Sequence, residues 1–349
     1  MHAGGLSIRP GRATVIPMTS AAAIHAATLT IDTHIDIPWP PGRAPEGGRR
    51  ADIARLRRGG VKAGCYAAYV PQGPRDAAAE DAAFGRAAAM LGAIAMMAEA
   101  AGARVCTTAA AVEDAAATGI TAVIPAVENG YAIGADLGRI QRLRELGACY
   151  ITLTHNGHNR VADSAIARRD LNDAEAEHGG LSAFGRAAVT EMNRVGLLVD
   201  VSHVSRAGML QAAELSRTPI VATHACCRAL CDHPRNLDDA QLDVLKATGG
   251  LLQVTAVPSF LRPGGKLASV SVADFVDHID HAVRRMGVAH VGIGSDFDGG
   301  GEMQGWHDAS ESPNVTAELV RRGYDSEAIA ALWGGNFLRL MRKAEAATA

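Results

Sequence analysis

The sequence predicts an α/β fold of the (β/α)8, TIM-like barrel class. Three observations lead to this prediction: apolar runs recur along the chain, amphipathic helical stretches separate them, and several runs end in His, Asp or Glu. Short apolar runs of this kind are typical of parallel strands that are buried on both faces. The eight predicted strands cover residues 29–34, 62–70, 121–127, 148–154, 197–202, 219–223, 249–255 and 289–295. Eight strands separated by helices is the number that a barrel of this class requires.

Helical patterns lie between the predicted strands, and the clearest cover residues 76–101, 181–195, 205–215, 239–248 and 272–286. We find no internal repeat, low-complexity linker or break in composition, so a single domain is predicted over residues 1–349. Within it, residues 1–28 are predicted to form a loose N-terminal extension and residues 314–349 to form C-terminal helices. Residues 40–48 and 258–265 are rich in Pro and Gly and are predicted to be loops after strands, on the face where barrels build active sites.

Composition excludes several classes of protein. Of the 349 residues, 48% are hydrophobic and 4% are aromatic, which suits a core of small and branched aliphatic side chains and not a disordered chain. The net charge is -3, and Lys and Arg form no long run, so no nucleic-acid partner is expected. A small neutral or zwitterionic substrate fits this charge balance.

The chain is expected to be cytoplasmic and to have no membrane partner. Residues 1–18 contain no continuous apolar segment before a small-residue cleavage site, and no later segment holds about 20 apolar residues without charge. The six cysteines lack the spacing of a disulfide scaffold and are expected to be reduced thiols. Cys226 and Cys227 directly follow a candidate ligand, so sulfur ligation of a metal is a weaker alternative.

Five of the predicted strands end in side chains that bind metals. Because the carboxyl ends of parallel barrel strands meet at one end of the barrel, these side chains are expected to converge there, as in a hydrolytic metal site. The residues at these strand ends are His34, Asp36, Glu128, His203, His224 and Asp296.

The first five of these residues are candidate metal ligands. His34 and Asp36 are two residues apart, so in a strand both side chains point to the same side and can bind one ion. Glu128 closes an otherwise apolar strand, where an ionised carboxylate is costly unless it is paired or metal-bound. Its two oxygens can bridge two ions, although a helix cap or a salt bridge is an alternative role. His203 and His224 end consecutive strands, and neutral imidazoles on neighbouring strands are a natural zinc pair.

Asp296 is the candidate proton carrier. It ends the last predicted strand, which barrel closure places beside the first. A carboxylate at this position can take a proton from metal-bound water and pass it to a leaving amine. Asp298, two residues further on, is the alternative candidate for this role, or a residue that caps the loop.

Two further residues are candidates for contact with a substrate. His155 ends a strand and can polarise a carbonyl oxygen, and Arg235 can hold a carboxylate through two hydrogen bonds. A hydrogen-bonded loop residue is the alternative interpretation of His155, and a surface charge is that of Arg235. His158 and His233 lie close to these residues in sequence and are candidates for supporting the site from outside.

These segments together resemble the membrane dipeptidase (renal dipeptidase) family of the amidohydrolase superfamily. The matching segments follow the order of the family and cover most of the chain, from near residue 29 to near residue 300. They are Asp32-Thr33-His34-Ile35-Asp36-Ile37-Pro38-Trp39, Glu128-Asn129-Gly130, Leu153-Thr154-His155, Asp200-Val201-Ser202-His203-Val204-Ser205, Thr223-His224 with Arg235-Asn236, and Gly292-Ile293-Gly294-Ser295-Asp296-Phe297-Asp298-Gly299.

The resemblance implies an amidohydrolase-type barrel that binds two Zn2+ ions per chain. It assigns His34 and Asp36 to one ion and His203 and His224 to the other. Glu128 would bridge the two ions, at the position where many relatives in the superfamily use a modified Lys.

The same resemblance implies roles toward the substrate. His155 would contact the scissile carbonyl oxygen, Arg235 the terminal carboxylate of a dipeptide, and Asp296 would shuttle the proton. The implied enzyme is a zinc dipeptidase that acts on short peptides with a free C-terminal carboxylate through a hydroxide bridging the two metals. Because members of the family often accept a D-residue at the C-terminal position, hydrolysis of L,D-dipeptides is also expected.

Two features depart from the animal members of the family. Those members carry a secretion signal and a lipid-anchor signal, and since this chain shows neither, their membrane association is not expected here. The loop at 156–160 also differs from the animal pattern. Two other functions stay open from the sequence: another amidohydrolase acting on a cyclic amide, a lactone or an N-acyl amino acid, and a non-catalytic metal- or peptide-binding barrel. A homodimer and divalent ions other than zinc stay open as well.

Overall fold

The computed structural model describes residues 20–40 and 48–348, and their strands form a parallel barrel. In chain order the strands are β1 (Ile31–Asp36), β2 (Ala63–Tyr69), β3 (Arg104–Val105), β4 (Ala122–Glu128), β5 (Tyr150–Thr152), β6 (Leu198–Asp200), β7 (Val221–Ala225), β8 (Leu251–Val254) and β9 (Val291–Ile293). Eight of them pair in the order β1-β2-β4-β5-β6-β7-β8-β9, and each of these pairs is parallel. The predicted barrel class is therefore confirmed. The two-residue β3, which pairs only with β4 off this path, was not expected from the sequence.

The barrel is nearly closed by contacts between β1 and the chain that follows β9. Ile35 and Phe297 form a parallel bridge. The backbone N–H of Asp296 donates to the carbonyl of His34 at 2.9 Å. One carboxylate oxygen of the buried Asp32 accepts from the Ser295 N–H at 2.8 Å. Closure of this kind places the end of β9 beside the end of β1, as predicted from the sequence.

Helices surround the barrel. They are α1 (Ala21–Ala27), α2 (Ile53–Arg58), α3 (Ala77–Ala100), α4 (Ala109–Ala117), α5 (Gly138–Glu145), α6 (Ala183–Arg194), α7 (Arg206–Leu215), α8 (Asp239–Ala247), α9 (Pro258–Leu261), α10 (Val272–Met286), α11 (Pro313–Arg321), α12 (Ser326–Ala330) and α13 (Asn336–Ala346). The five helices with the clearest sequence patterns lie within two residues of their predicted bounds. Most of these begin where a Ser or Asp side chain accepts a hydrogen bond from the first turn, as Asp76, Ser182 and Ser205 do.

Three predicted segments differ from the prediction or lie partly outside the described residues. The predicted loop at 258–265 starts with α9, a single turn in which the fixed φ of Pro258 favours the first helical position. Of the predicted loop at 40–48, residues 41–47 lie outside the described residues, and so do residues 1–19 of the predicted N-terminal extension. The rest of that extension contains α1.

Helix α1 packs on α11 through His25. The Nδ1 atom of His25 lies 2.6 Å from the Thr316 hydroxyl, and its Nε2 atom lies 2.7 Å from the carbonyl of Gly59. At the other end of the chain, α11, α12 and α13 occupy the predicted C-terminal helical segment.

Apolar packing covers the amino end of the barrel. Phe337, Leu340 and Met341 of α13 share one buried apolar cluster with the first residues of several strands, so α13 covers the amino end. Helix α3 is long and apolar enough to cross a membrane by length and composition alone. One face of α3, including Met90 and Ile94, is nevertheless buried in the main apolar cluster of the barrel.

The buried His278 of α10 must be neutral in the folded protein. Its Nδ1 atom accepts a hydrogen bond from the backbone N–H of Cys227 at 3.0 Å, and its Nε2 atom is 2.9 Å from the carbonyl of Leu261, to which it donates. A second proton on the ring would break the bond from Cys227. Burial accordingly lowers the pKa of His278 below its ordinary value of 6.5.

We therefore expect His278 to make stability depend on pH. Between the lowered pKa and 6.5 the unfolded chain binds a proton that the folded chain excludes, so the free energy of unfolding falls as the pH drops below 6.5. Above that pH the contribution is complete. Urea unfolding between about pH 5 and 8 should give a shallower pH dependence for His278→Gln than for the wild type. Identical pH dependence in the two proteins would contradict this assignment.

Candidate active site

The predicted site residues lie together at the carboxyl end of the barrel. An open cavity of about 210 Å³ lies there, which suits a small molecule. Among the residues that line it are Asp36, Glu128, His155, Asn156, His203, His224, Arg235, Phe260, Asp296 and Gly299. His34 lies at its floor, with its Nε2 atom 3.6 Å from Asp36 Oδ1 and 3.7 Å from Glu128 Oε2.

Glu128 lies between two sets of candidate ligands. Its Oε2 atom faces His34, while its Oε1 atom lies 3.2 Å from His203 Nε2 and 3.4 Å from His224 Nε2. The side chain is 3% exposed and is the last residue of β4, so its position depends on the barrel backbone and not on a mobile loop. A carboxylate with one oxygen toward each set has the geometry of a bridge between two ions.

The imidazoles of His34, His203 and His224 direct Nε2 into the site, because the Nδ1 atom of each ring is hydrogen-bonded to a neighbouring residue on its other side. The partners of Nδ1 are the Tyr150 hydroxyl for His34 (2.9 Å), Asn156 Oδ1 for His203 (3.1 Å) and the Thr223 hydroxyl for His224 (3.0 Å). When Nδ1–H donates to such a partner, Nε2 keeps its lone pair, which is the form that binds metals. Burial favours this neutral form and lowers the pKa of His224 to about 3. Burial acts in the same sense on His34, but the carboxylates of Glu128 and Asp36 outweigh it and raise the pKa of His34 above its ordinary value.

The donor atoms fit divalent metal ions. Nε2 of His34 and Oδ1 of Asp36 are buried and have no hydrogen-bond partner among the described residues. Burial and the neighbouring Glu128 carboxylate raise the pKa of Asp36 to about 6. Carboxylates crowded in this way are stabilised by a cation between them, and His with carboxylate oxygen is a ligand set that suits zinc and several other divalent ions.

The structure groups the donors somewhat differently from the prediction. Two groups of donor atoms lie within 4.8 Å of one another: His34, Glu128 and His224, and Glu128, His155 and His203. The prediction instead pairs His203 with His224. Their Nε2 atoms are 3.0 Å apart, near the separation of about 3.3 Å between two nitrogens on one tetrahedral zinc. His155 Nε2 is further from Glu128, at 4.0 Å, so the distances favour the predicted pairing.

His155 and Arg235 lie on the wall of the cavity, above the candidate ligands. The His155 ring packs at a tilt against the rings of His203, with 4.1 Å between centroids, and Tyr69, with 4.6 Å. Arg235 is 3% exposed and donates from Nη2 to the carbonyl of His224 at 3.1 Å. Its Nε atom is buried without a partner among the described residues, and its guanidinium lies 5.4 Å from the Phe260 ring centroid. Arg235 is thus not the surface charge that the sequence left open.

Asp296 and Asp298 have different surroundings. The Asp296 carboxylate lines the cavity, where burial and the charges of Asp36 and Glu128 raise its pKa well above the usual range. Asp298 accepts from Arg49 Nε at 2.6 Å and from the Arg50 N–H at 2.7 Å, which is the loop-capping role. The structure therefore favours Asp296 as the candidate proton carrier.

Three of these residues have an unusual backbone. His203 has a φ of 66°, Asp296 of 62° and Asp298 of 66°, in the left-handed region that residues other than glycine seldom adopt. Such conformations concentrate at functional sites, where the surrounding structure holds a side chain in a required direction.

Gly299 lines the cavity between two of the candidate carboxylates. A Cβ atom at this position would lie 2.3 Å from Asp296 Oδ1 and 2.7 Å from Asp36 Oδ2. We expect Gly299→Ala to displace both side chains and to lower turnover about 100-fold, with a reduced metal content. Metal analysis and turnover assays check this result.

Gly85→Ala provides the control for Gly299→Ala. A Cβ atom at Gly85, on the outer surface of α3, would meet nothing within 4 Å, so this variant should keep wild-type metal content and turnover. Unchanged turnover of Gly299→Ala would contradict the proposed arrangement of the two carboxylates.

The other sequence candidates lie outside the ligand set. His158 accepts from the Ser164 N–H at 3.0 Å and holds the loop after β5. His233 accepts from the Arg235 N–H at 3.2 Å and stacks on Phe260, so it supports the substrate-side wall. The thiols of Cys226 and Cys227 are directed to the carbonyls of Thr255 and His278, and neither belongs to a ligand group. All six cysteines are buried and unpaired.

Sequence reasoning missed the residues that orient the ligands. Tyr150, Asn156 and Thr223 hold the Nδ1 atoms, and Asp200 in turn binds Thr223 at 2.7 Å. The sequence contained a signal for Asp200, because an ionised carboxylate at the end of an apolar run is as costly there as at Glu128. The sequence contained no signal for Tyr150, because its hydroxyl reaches His34 from the other side of the barrel.

Comparison with known proteins gives matches over most of the chain. A family model described as "Membrane dipeptidase (Peptidase family M19)" matches residues 18–349. A dipeptidase, verJ, of Clonostachys rogersoniana is 39% identical over 229 residues, which are 65% of this chain and 56% of that protein. A dipeptidase, aclJ, of Aspergillus oryzae is 37% identical over 63% of this chain and 50% of that protein. The chain thus matches about half the length of these curated relatives.

Solved structures match over nearly all of the chain. A probable dipeptidase, PvdM, from Pseudomonas aeruginosa superposes with a TM-score of 0.88 at 28% identity, covering 94% of this chain and 98% of that one. A metallo peptidase from Rhodobacter sphaeroides, bound to a phosphinate mimic of the dipeptide L-Ala-D-Ala, superposes with a TM-score of 0.80 at 29% identity. That match covers 91% of this chain and 99% of the other.

Proposed function

The chain belongs to the membrane dipeptidase family, peptidase family M19, and from this premise we propose that it hydrolyses dipeptides with two divalent metal ions. The observation that carries the proposal is the position of Glu128, with one oxygen toward His34 and the other toward His203 and His224. A buried arginine, Arg235, lies in the same cavity, and its Nε has no partner among the described residues, which suits recognition of a substrate carboxylate.

We propose zinc as the metal. His34 and Asp36 would hold one ion, His203 and His224 the other, and Glu128 both. Two such ions would supply a hydroxide nucleophile at neutral pH by lowering the pKa of water, and would polarise the peptide carbonyl. The mixed imidazole and carboxylate ligands support zinc, and the same types of ligand also bind other divalent ions.

The residues on the cavity wall would bind and orient the substrate. Burial lowers the pKa of Arg235 to about 10, so the guanidinium still carries its charge at neutral pH and can pair with a C-terminal carboxylate. His155 would donate to the oxygen of the scissile carbonyl, on which negative charge develops during attack. Since the cavity holds only a small molecule, a carboxylate fixed at Arg235 limits the substrate to short peptides.

Asp296 would move the proton. Its carboxylate would accept a proton from the attacking water and deliver it to the nitrogen of the departing amine. The C–N bond breaks as that nitrogen gains the proton, which yields two amino acids and returns Asp296 to its starting form. The position of Asp296 beside Asp36, with Gly299 between the two carboxylates, supports this role.

We further propose that L,D-dipeptides are substrates. The metallo peptidase from Rhodobacter sphaeroides, which is 29% identical, binds a mimic of L-Ala-D-Ala. Beside Arg235 the cavity wall includes the apolar side chain of Phe260, whose ring centroid lies 5.4 Å from the guanidinium, and Val257 also lines the cavity.

Recognition of the carboxylate can be tested with a substrate and its amide. The wild type is expected to prefer a dipeptide over the same dipeptide with a C-terminal amide by about 10- to 150-fold in kcat/KM. This ratio corresponds to the free energy that one hydrogen bond to a charged group contributes. Arg235→Met should lose most of this preference, because turnover of the dipeptide falls while that of the amide changes little. Equal preference in wild type and variant would contradict the role of Arg235, and the unfolding midpoint of the variant controls for damage to the fold.

A further inference from the structure

Asp200 is a fully buried carboxylate with four hydrogen-bond donors around it. Its Oδ1 atom accepts from the backbone N–H groups of Ser202 and Thr223, both at 3.0 Å. Its Oδ2 atom lies 2.6 Å from the Thr152 hydroxyl and 2.7 Å from the Thr223 hydroxyl. These contacts join β5, β6 and β7 directly below the candidate metal ligands.

The four contacts determine where the protons lie. An ionised carboxylate only accepts hydrogen bonds, so both threonine hydroxyls must direct their protons at Asp200. The Thr223 oxygen is then left with lone pairs alone. Nδ1 of His224 lies 3.0 Å from this oxygen, so it must carry the proton and donate it. Its Nε2 atom, directed at Glu128, is thereby kept unprotonated.

We propose that Asp200, acting through the Thr223 hydroxyl, is a positioning residue that fixes the tautomer and direction of His224. This role rests on the proposed metal centre, because the tautomer of His224 would set the affinity of the ion that His203 and His224 would hold. Without the proton directed at Asp200, the Thr223 hydroxyl could donate to Nδ1 instead. Nε2 of His224 would then carry the proton, and the ring would no longer be a ligand.

The imidazoles of His34 and His203 do not depend on Asp200 and Thr223 for their tautomers. The His34 ring has its own partner, the Tyr150 hydroxyl, at 2.9 Å, whereas Thr223 is 3.5 Å from that ring. His203 is held by Asn156. The loss of the Thr223 hydroxyl should therefore weaken one of the two ions far more than the other.

A matched pair of variants tests the proposal. Thr223→Val and Thr152→Val each remove one hydroxyl donor to Asp200 Oδ2, and only Thr223 contacts a candidate ligand. Zn2+ alone, titrated into chelator-treated protein, is expected to bind one site about 10- to 100-fold more weakly in Thr223→Val, the usual effect of losing an outer partner of a ligand. Thr152→Val should keep the wild-type affinities, and Thr223→Ser, which retains the hydroxyl, should restore them.

A spectroscopic signature separates tautomer control from a general structural effect. In the metal-free protein, nitrogen-15 NMR of the imidazoles should show Nδ1–H at His224 in wild type and Thr223→Ser, and loss of that single form in Thr223→Val. Equal weakening in both valine variants, or an unchanged His224 tautomer, would overturn the proposal. Because neither measurement uses a dipeptide, a protein that binds Zn2+ as expected but hydrolyses no dipeptide would refute the proposed function and leave this inference standing.

Discussion

Glu128→Gln is expected to remove most of the bound metal and to abolish dipeptide turnover. The substitution keeps the shape of the side chain but replaces the charged oxygen that faces one pair of ligands with an amide NH2. Loss of a shared ligand should weaken both ions by more than the factor of about 10 to 100 that follows loss of an outer partner. Elemental analysis of the purified variant should find much less than the wild-type metal content, and turnover should fall in parallel.

Glu80→Gln is the matched control for this prediction. Glu80 is also a buried glutamate, 2% exposed, but it pairs with Arg160 on the outer side of the barrel and belongs to neither ligand group. Its substitution should lower stability and leave metal content and turnover unchanged. If Glu128→Gln keeps full metal content, Glu128 is not a bridging ligand.

Asp296→Asn is expected to abolish turnover while the metal remains bound. Asparagine has no basic oxygen that accepts a proton from water, and the loss of a general acid–base group typically costs about 10²- to 10⁴-fold in rate. The proposed ligands His34, Asp36, Glu128 and the two histidines of the second site stay in place. Turnover and metal analysis on the same sample check both parts of this expectation, and unchanged turnover would refute the role of Asp296.

Asp298→Asn controls for damage to the same loop. Asp298 holds Arg49 and the Arg50 N–H, so this variant should lose stability and retain most of its turnover. If the two asparagine variants lost turnover to the same extent, the shape of the loop and not the Asp296 carboxylate would be the cause.

The sequence was sufficient to predict the barrel and the residues at its strand ends. Each run is apolar because a parallel strand in a barrel is buried on both faces, and this fixes the strands to within a few residues. Parallel strands share an end, so His34, Glu128, His203 and His224 could be placed together without any knowledge of distances. The family predicted from these segments is confirmed by the match over residues 18–349.

The partners of the imidazoles could not be predicted in the same way. Tyr150 lies at the start of β5, and only the packing of the barrel interior brings its hydroxyl to His34. Asn156 belongs to a long loop without a periodic pattern, so its contact with His203 depends on how that loop folds. The one-turn α9, which carries Phe260 to Arg235, is too short to leave a helical pattern.

Metal-dependent dipeptidase activity of this chain is tested by adding Zn2+ back to chelator-treated protein and measuring hydrolysis of L,L- and L,D-dipeptides. We expect no turnover without metal and full recovery of turnover as two equivalents of Zn2+ bind, with the L,D-dipeptides among the substrates. Binding of two equivalents of Zn2+ with no turnover of any dipeptide would contradict the proposed function. Cyclic amides, lactones and N-acyl amino acids would then be the substrates to test, and a non-catalytic binding role would be the other alternative.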